Sequence, residues 1–420
     1  MASRTRITNA LLADGRLVDI QVVDGQISSV EPADTSDAPD SDADVTTHDL
    51  AGWLLLPAMA EPHAHVDKAL TADLVPNPAG DLAGAIHAWV AAAQAGRITH
   101  DDTVDRAAMA MEMLLVRGVT AVRSHVNVGE GYGASAVRAV NEARLRVQDL
   151  MHVQTVALVQ SPLTGDAGAG NRTALDQALE AGVDLVGGCP HLEPDGNAMI
   201  AYVIDLATEA GLPLDLHVDE TLDASVLTLP DYARQVIDAG FTNGVAASHC
   251  VSLGMQGPAV QAEVAAIVAE AHMAIFALPQ TNLFLQARGV PTAPPRGLTA
   301  IDPLLDAGVN VGAGGDNVQD PFNLVGRSDP LETAALMIMA GHRSPEAAYD
   351  MVSNAPRRAM GLAPVNFESG DPADFMAIDA PTVRAAIADA PMARRTFTAG
   401  RLVASTNQQT AIHRRHRIRL

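Results

Sequence analysis

Lysine is almost missing from this 420-residue chain: Lys68 is the only one, and every other permanent cation is arginine. Positive charge is scarce altogether, with 27 Lys and Arg against 50 Asp and Glu, a formal net charge of −23. The resulting field repels phosphate backbones and anionic bilayers, which argues against nucleic-acid polymers and membranes as partners. Cysteine is equally sparse. Cys189 and Cys250 are too few for a disulfide framework, and both stand beside apolar runs where a buried free thiol is the ordinary outcome. No uninterrupted apolar run reaches the roughly 20 residues that a bilayer crossing needs. The opening MASRTRITNALLADG has no apolar stretch of the kind a secretory signal carries, so the cytoplasm is the expected address.

What the chain does have is apolar residues, 48% of the total, enough for a large core without staples. Residues 5–31 alternate apolar and polar positions around Asp-Gly pairs at 14–15 and 24–25, which predicts a hairpin meander. The acidic, Pro- and Ser-containing stretch over 32–49 reads as a surface loop. From about residue 53, short apolar strands alternate with Ala-rich amphipathic helices. Strands are expected at 53–59, 119–126, 152–159, 183–188, 212–218, 244–249, 273–279 and 309–315, the count of a closed (β/α)8 TIM-type barrel. An open nucleotide-binding sheet would carry G-x-G-x-x-G after its first strand, and none is present. Strand texture returns after 365 in GDPADFMAIDAP and RRTFTAGRLVAST. The two chain ends, 1–57 and 366–420, are therefore expected to form one small β-sandwich beside a barrel of residues 58–365. The basic tail, with His413, Arg414, Arg415, His416, Arg417 and Arg419, reads as a solvated or inter-subunit arm and makes a homo-oligomer a reasonable expectation.

Four groups of residues carry chemistry. Glu61-Pro62-His63-Ala64-His65-Val66-Asp67-Lys68 follows an apolar strand. In extended chain, residues i and i+2 share a face about 7 Å apart, so two imidazoles can converge on one ion. His217 ends LPLDLHVDE, with Glu220 three residues on. His249 ends NGVAASHC. Asp316 stands in the Gly-rich turn GAGGDNVQDPF. Each has a bland reading alone: a satisfied buried histidine, or a turn-forming aspartate. Jointly they fall at the ends of the first, fifth, sixth and eighth strands, on the face where barrel enzymes place their sites.

In EPHAHVDK, VRSHVNV, VQTVALVQ, GGCPHLE, LHVDE, ASHC and GGDNVQDPF, together with the split terminal sandwich, the chain resembles the amidohydrolase superfamily, and most nearly its cytosine deaminase branch. The resemblance implies one divalent metal ion, zinc or iron first and manganese next, held by His63, His65, His217 and Asp316. Binuclear relatives use a carboxylated lysine after the fourth strand. Here that strand reads VDLVGGCP, so a bridging lysine is excluded and a one-metal site is favoured, with a glutamate bridge elsewhere as the remaining alternative. The resemblance further implies that Glu220 protonates a ring nitrogen, that Asp316 ligates the ion or accepts the proton of its water, that His249 hydrogen-bonds the developing oxyanion or hydroxide, and that Gln160 contacts the substrate. The family's second aspartate is replaced by Asn317 and its tryptophan by Phe322, so the substrate edge that this pocket complements differs. Lys68 either meets the substrate or pairs with Asp67 or another acid. His125 and His191 are expected to brace loops. Trp89, Phe284 and Phe322 could stack on a planar ring, although isolated aromatics are more often core. The implied activity is deamination of a cytosine-like or other amine-bearing planar N-heterocycle, a small molecule, with release of ammonia. Hydrolysis of a cyclic amide or other acyl–nitrogen bond by the same activated water is the second reading.

Overall fold

A computed structural model describes residues 3–33 and 45–412. Two eight-stranded sheets organise them. In the first, the strands Met59–Ala64, Val119–Val128, His152–Val159, Leu185–Gly187, Leu214–Val218, Val245–His249, Ala274–Ala277 and Val311–Ala313 pair in chain order. Every pairing is parallel, and helices lie between the strands, which makes a (β/α)8 barrel. The strands are buried on both faces, so apolar residues dominate runs such as AIFA, and the polar residues within VTAVRSHVNV and LDLHV are buried too. The helix His100–Leu115 shows how a local sequence sets an outer element. Thr99 caps it by accepting the N–H of Asp102, Asp101 and Asp102 put negative charge in its first turn, and Val104, Ala107, Ala108, Met111, Leu114 and Leu115 form its buried stripe.

The second sheet comes from both chain ends. Its order is Arg401–Thr406, Arg394–Thr398, Phe375–Ile378, Leu54–Pro57, Arg4–Leu11, Leu17–Val23 and Gln26–Pro32, with Val45–Asp49 also paired to Arg4–Leu11. Ile7, Ile20, Ile27, Leu55, Phe375 and Phe397, drawn from six of these strands, meet in a core separate from that of the barrel. Arg394 ties the sheet to the barrel. Buried at 1% exposure, it grips Asp329 through two bonds of 2.9 and 2.8 Å and donates to the Arg117 carbonyl at 2.8 Å. Beside it, Gly118 (φ 98°) lets the two units approach: a Cβ there would lie 2.3 Å from the Met376 sulfur.

Two sequence expectations need correction. The run at 53–59 is not one barrel strand. Leu54–Pro57 pairs with Phe375–Ile378 in the terminal sheet, and the first barrel strand starts at Met59. Pro57 has no N–H to continue a ladder, and the Ala58 N–H turns to the Asp374 carbonyl. Hydrophobicity could not mark the break because both halves are buried. Val45–Asp49, read as the end of a loop, is a strand running parallel to Arg4–Leu11, favoured by its Val-Thr-Thr run. Residues 34–44 of that loop and the basic tail from His413 lie outside the described residues.

Candidate metal centre and active site

His63 lies within the first barrel strand, His65 follows its last residue, His217 lies in the fifth, His249 ends the sixth and Asp316 comes just after the eighth. None is more than 5% exposed. His249 and Asp316 adopt φ angles of 69° and 65°, a left-handed conformation that costs a residue with a side chain about 1–3 kcal/mol and ends each extended run abruptly.

The imidazoles converge. His63 Nε2 is 3.1 Å from His217 Nε2, which is 3.3 Å from His65 Nε2. Asp316 Oδ1 lies 3.2 Å from His65 Nε2 and 3.8 Å from His63 Nε2. Their far nitrogens settle two tautomers. His65 Nδ1 is 2.9 Å from the His125 carbonyl, which can only accept, so Nδ1 carries the proton. Ser248 donates its hydroxyl to Asp215 and therefore accepts from His63 Nδ1 at 2.8 Å. Both rings thus turn bare Nε2 lone pairs on one point, beside a buried carboxylate whose two oxygens have no hydrogen-bond donor. Protonation does not relieve this crowding, because burial and the neighbouring imidazoles drive His63 and His217 well below the usual imidazole range. A divalent cation does. Tetrahedral bonds of about 2.0–2.1 Å set neighbouring ligand atoms roughly 3.3–3.4 Å apart, close to the spacing of these nitrogens. The donor set fits such an ion.

A cavity of about 430 Å³ adjoins the cluster. It brings together His65, His217, Glu220, His249, Asp316, Lys68, Gln160, Asn317 and Phe322, while His63 lies behind its wall. Glu220 Oε1 is 3.6 Å from His249 Nδ1. Burial, reinforced by the Asp316 charge and opposed by Lys68, pushes the Glu220 carboxyl well above its ordinary value, which favours its proton-bearing form. Burial brings His249 down to about 4 against the opposing pull of Asp316 and Asn282, leaving a neutral ring. Its Nδ1 pairs with the Asn282 amide oxygen at 3.1 Å and its Nε2 has no partner.

Lys68 does not pair with Asp67. Its Nζ donates to Asn127 Oδ1 at 3.0 Å and lies 4.7 Å over the Phe322 ring, and among the described residues it forms no ion pair. Asp67 instead accepts the Asn127 N–H. The Asn317 amide is engaged at both ends, accepting from Thr281 at 3.3 Å and donating to Asp320 at 2.8 Å. Leu82, Ile86 and Trp89 from the helix Leu82–Gln94 form an apolar wall, whereas Phe284 sits outside the lining with Arg288 over its ring.

Residues 93–404 match the model of the amidohydrolase family. The chain belongs to that family. Pterin deaminase from Rhizobium rhizogenes is 32% identical over 367 residues, spanning 86% of this chain and 82% of that protein. Among solved structures, 5-methylcytosine deaminase from Klebsiella pneumoniae, liganded with 5-fluorocytosine, is similar with a TM-score of 0.87 at 26% identity, covering 97% of this chain and 99% of that one. N-isopropylammelide isopropylaminohydrolase from Burkholderia multivorans follows with a TM-score of 0.80 at 25% identity, covering 96% and 99%.

Of the layer behind the candidate ligands of this amidohydrolase, sequence reasoning anticipated only a bracing role for His125 and His191 and missed Arg123, Asp215, Ser248 and Asp219. Arg123 donates to Asp215 at 2.7 Å, and Asp215 accepts from the Ser248 that holds His63. His125 lies against His63 with ring centroids 3.9 Å apart and does not line the cavity. His191 braces the His217 carbonyl from 3.2 Å. Asp219 shapes the loop that carries Glu220, accepting from the Thr228 N–H and hydroxyl and from the Leu229 N–H. A signal was present: Glu61 precedes His63, Arg123 precedes His125 and Asp215 precedes His217, each by two residues in extended chain, so each charge shares its histidine's face.

Proposed function

We propose that this amidohydrolase is a one-metal aminohydrolase that replaces the amine of a planar N-heterocycle with an oxo group and releases ammonia. The observation that carries the reading is geometric: Glu220, whose carboxyl burial pushes up, and His249 line one cavity with His65, His217 and Asp316, and His63 stands just behind its wall. A divalent ion bound there, zinc or iron first and manganese next, supplies Lewis acidity that makes hydroxide available near neutral pH.

The residues divide the proton work. Glu220 gives its proton to the ring nitrogen beside the amine-bearing carbon, a step typically worth about 10²–10⁴ in rate. Water oxygen adds to that carbon while Asp316 takes up one proton of the water and His249 hydrogen-bonds the oxygen. Transfer of that proton to the exocyclic nitrogen lets ammonia depart, and the new hydroxyl returns its remaining proton to the Glu220 carboxylate as its C–O bond becomes the oxo group. Gln160 turns its amide to the substrate's carbonyl and ring N–H, with Tyr132 donating to its oxygen from 3.4 Å. Lys68, which forms no ion pair among the described residues, offers a positive charge suited to an oxo group. Phe322 covers a ring face, and Asn317 contributes the Nδ2 hydrogen that Asp320 leaves free.

Cavity size and the apolar wall of Leu82, Ile86 and Trp89 support a ring system larger than one pyrimidine. Together with the similarity to pterin deaminase, they rank an aminopteridine ahead of cytosine. The cytoplasm suits a chain whose two cysteines are both unpaired. Metal-replete protein should release one ammonia per ring from at least one member of a panel of aminopteridines, aminopyrimidines and aminotriazines, and chelator-stripped protein none. Absence of ammonia across the panel overturns the reading; a new carboxylate without ammonia replaces it with cyclic-amide hydrolysis.

A further inference from the structure

Seven of the eight junctions around the barrel are ladders, and the eighth is a seam. The last strand, Val311–Ala313, and the first, Met59–Ala64, lie at opposite ends of the pairing order and meet through one isolated bridge between Ala64 and Asp316. Part of the gap is spliced by another segment: Ala313 donates its N–H to the Met351 carbonyl at 2.6 Å, and Ala60 to that of Val352 at 3.0 Å. At the end nearest the metal cage, one side chain spans it. Glu61, 4% exposed, accepts the His63 N–H on Oε1 at 3.1 Å and the Gly315 N–H on Oε2 at 2.8 Å. The opposite bank is shaped for this carboxyl, since a Cβ on Gly314 would come within 2.4 Å of Oε1 and one on Gly315 within 3.2 Å of Oε2.

We propose that Glu61 is a positioning residue that clasps the barrel seam and so fixes His63 and Asp316, ligands from its two banks, at bonding separation. The inference rests on the metal-site reading above. Charge is not essential to it, because a carboxyl in either protonation state keeps an acceptor on each oxygen. Glutamine does not. Its amide has one acceptor oxygen, and its NH2 would face a backbone N–H across the seam. Glu61→Gln therefore preserves volume while deleting one of the two bonds.

The test compares full-length wild type with E61Q and E61D. Zinc affinity is measured by chelator competition, and amide hydrogen exchange of the segment around Gly315 is followed in the zinc-free proteins. E61Q should bind zinc about 10–100-fold more weakly, the range typical of groups that orient metal ligands. Exchange around Gly315 should speed up about tenfold or more, while that of Phe375–Ile378 in the terminal sheet stays unchanged. E61D, with both oxygens but a shorter reach, should fall between, and it carries the test if E61Q does not fold. Zinc affinity within twofold of wild type, or unaltered Gly315 exchange, overturns the clasp, as does an unprotected Gly315 amide in wild type. Should wild type bind no divalent ion, the metal reading falls, and exchange at Gly315 alone decides whether the seam is clasped.

Discussion

The barrel mouth and the terminal sheet are held together by opposite means. At the mouth, His125, His217, His249 and Asp316 all carry buried polar atoms without partners, and Asp219, His249, Cys250, Asp316 and Gln319 take left-handed backbone. In the terminal sheet, Ile7, Ile20, Ile27, Leu55, Phe375 and Phe397 are at most 1% exposed, and the left-handed residues Asp24, Ala51 and Ala399 sit between strands, with Asn9 at an irregularity within Arg4–Leu11. An unsatisfied buried polar group costs about 1–3 kcal/mol, and so does a strained residue. The mouth therefore lowers stability to hold reactive groups in place, and the sheet returns it with packing. Substitutions should obey this division: in the mouth they change rate more than stability, in the sheet stability more than rate.

The largest effect is expected at Glu220. Glu220→Gln removes a proton donor without altering shape, so kcat/KM should fall by about 10²–10⁴. Stability should hold or rise, and the sign follows from linkage. The raised carboxyl keeps its proton in the folded protein while the unfolded chain loses it above the ordinary carboxylate value, so this group reduces stability as pH climbs toward its folded pKa. Glutamine does not titrate and escapes that loss. For the same reason the wild-type rate should fall on the alkaline side as Glu220 deprotonates. A pH–rate profile with denaturant melts of both proteins checks this. A large loss of stability in E220Q would break the division between the two regions.

The converse lies at Phe375, fully buried and packed on Phe397 with ring centroids 5.1 Å apart. Phe375→Ala should cost about 3–5 kcal/mol of stability. Turnover per folded, metal-loaded molecule should stay within about twofold, measured well below the melting point. A proportionate drop in kcat would mean that the terminal sheet sets the geometry of the mouth through Arg394 and Asp329.

The same contrast decides what could be read before the structure. Histidines two apart in an extended run declare a shared face, and a barrel strand end declares which way that face looks, so the (β/α)8 architecture and the convergence of His63, His65, His217 and Asp316 were legible. Apolar alternation around Asp-Gly turns likewise disclosed the terminal hairpins. What stayed hidden depends on neighbours distant in sequence. Asn127 takes the Lys68 ammonium, Thr281 donates to the Asn317 amide, and Tyr132 orients Gln160, all between segments that no local pattern brings together. The split at Pro57 was hidden for another reason. Two consecutive strands that are both buried have one hydrophobic signature, although they belong to different sheets.

The smallest effect sharpens the comparison most, because it separates contact from field within the mouth itself. Lys68 is a buried cation, 3% exposed, whose charge also acts on Glu220 and Asp316. Lys68→Met keeps a long apolar stem against Phe322 and removes the charge. If the ammonium binds a substrate oxo group, one charge-assisted hydrogen bond is lost, worth about 1.5 kcal/mol or a little over tenfold in KM, with kcat nearly unchanged. An analogue without that oxo group should bind wild type and K68M equally. If Lys68 instead acts through its field, K68M should raise the Glu220 pKa further, move the alkaline limb of the rate profile upward and affect both ligands alike. The direction of that limb, measured beside the two KM values, distinguishes a contact that selects the substrate from a charge that tunes the acid.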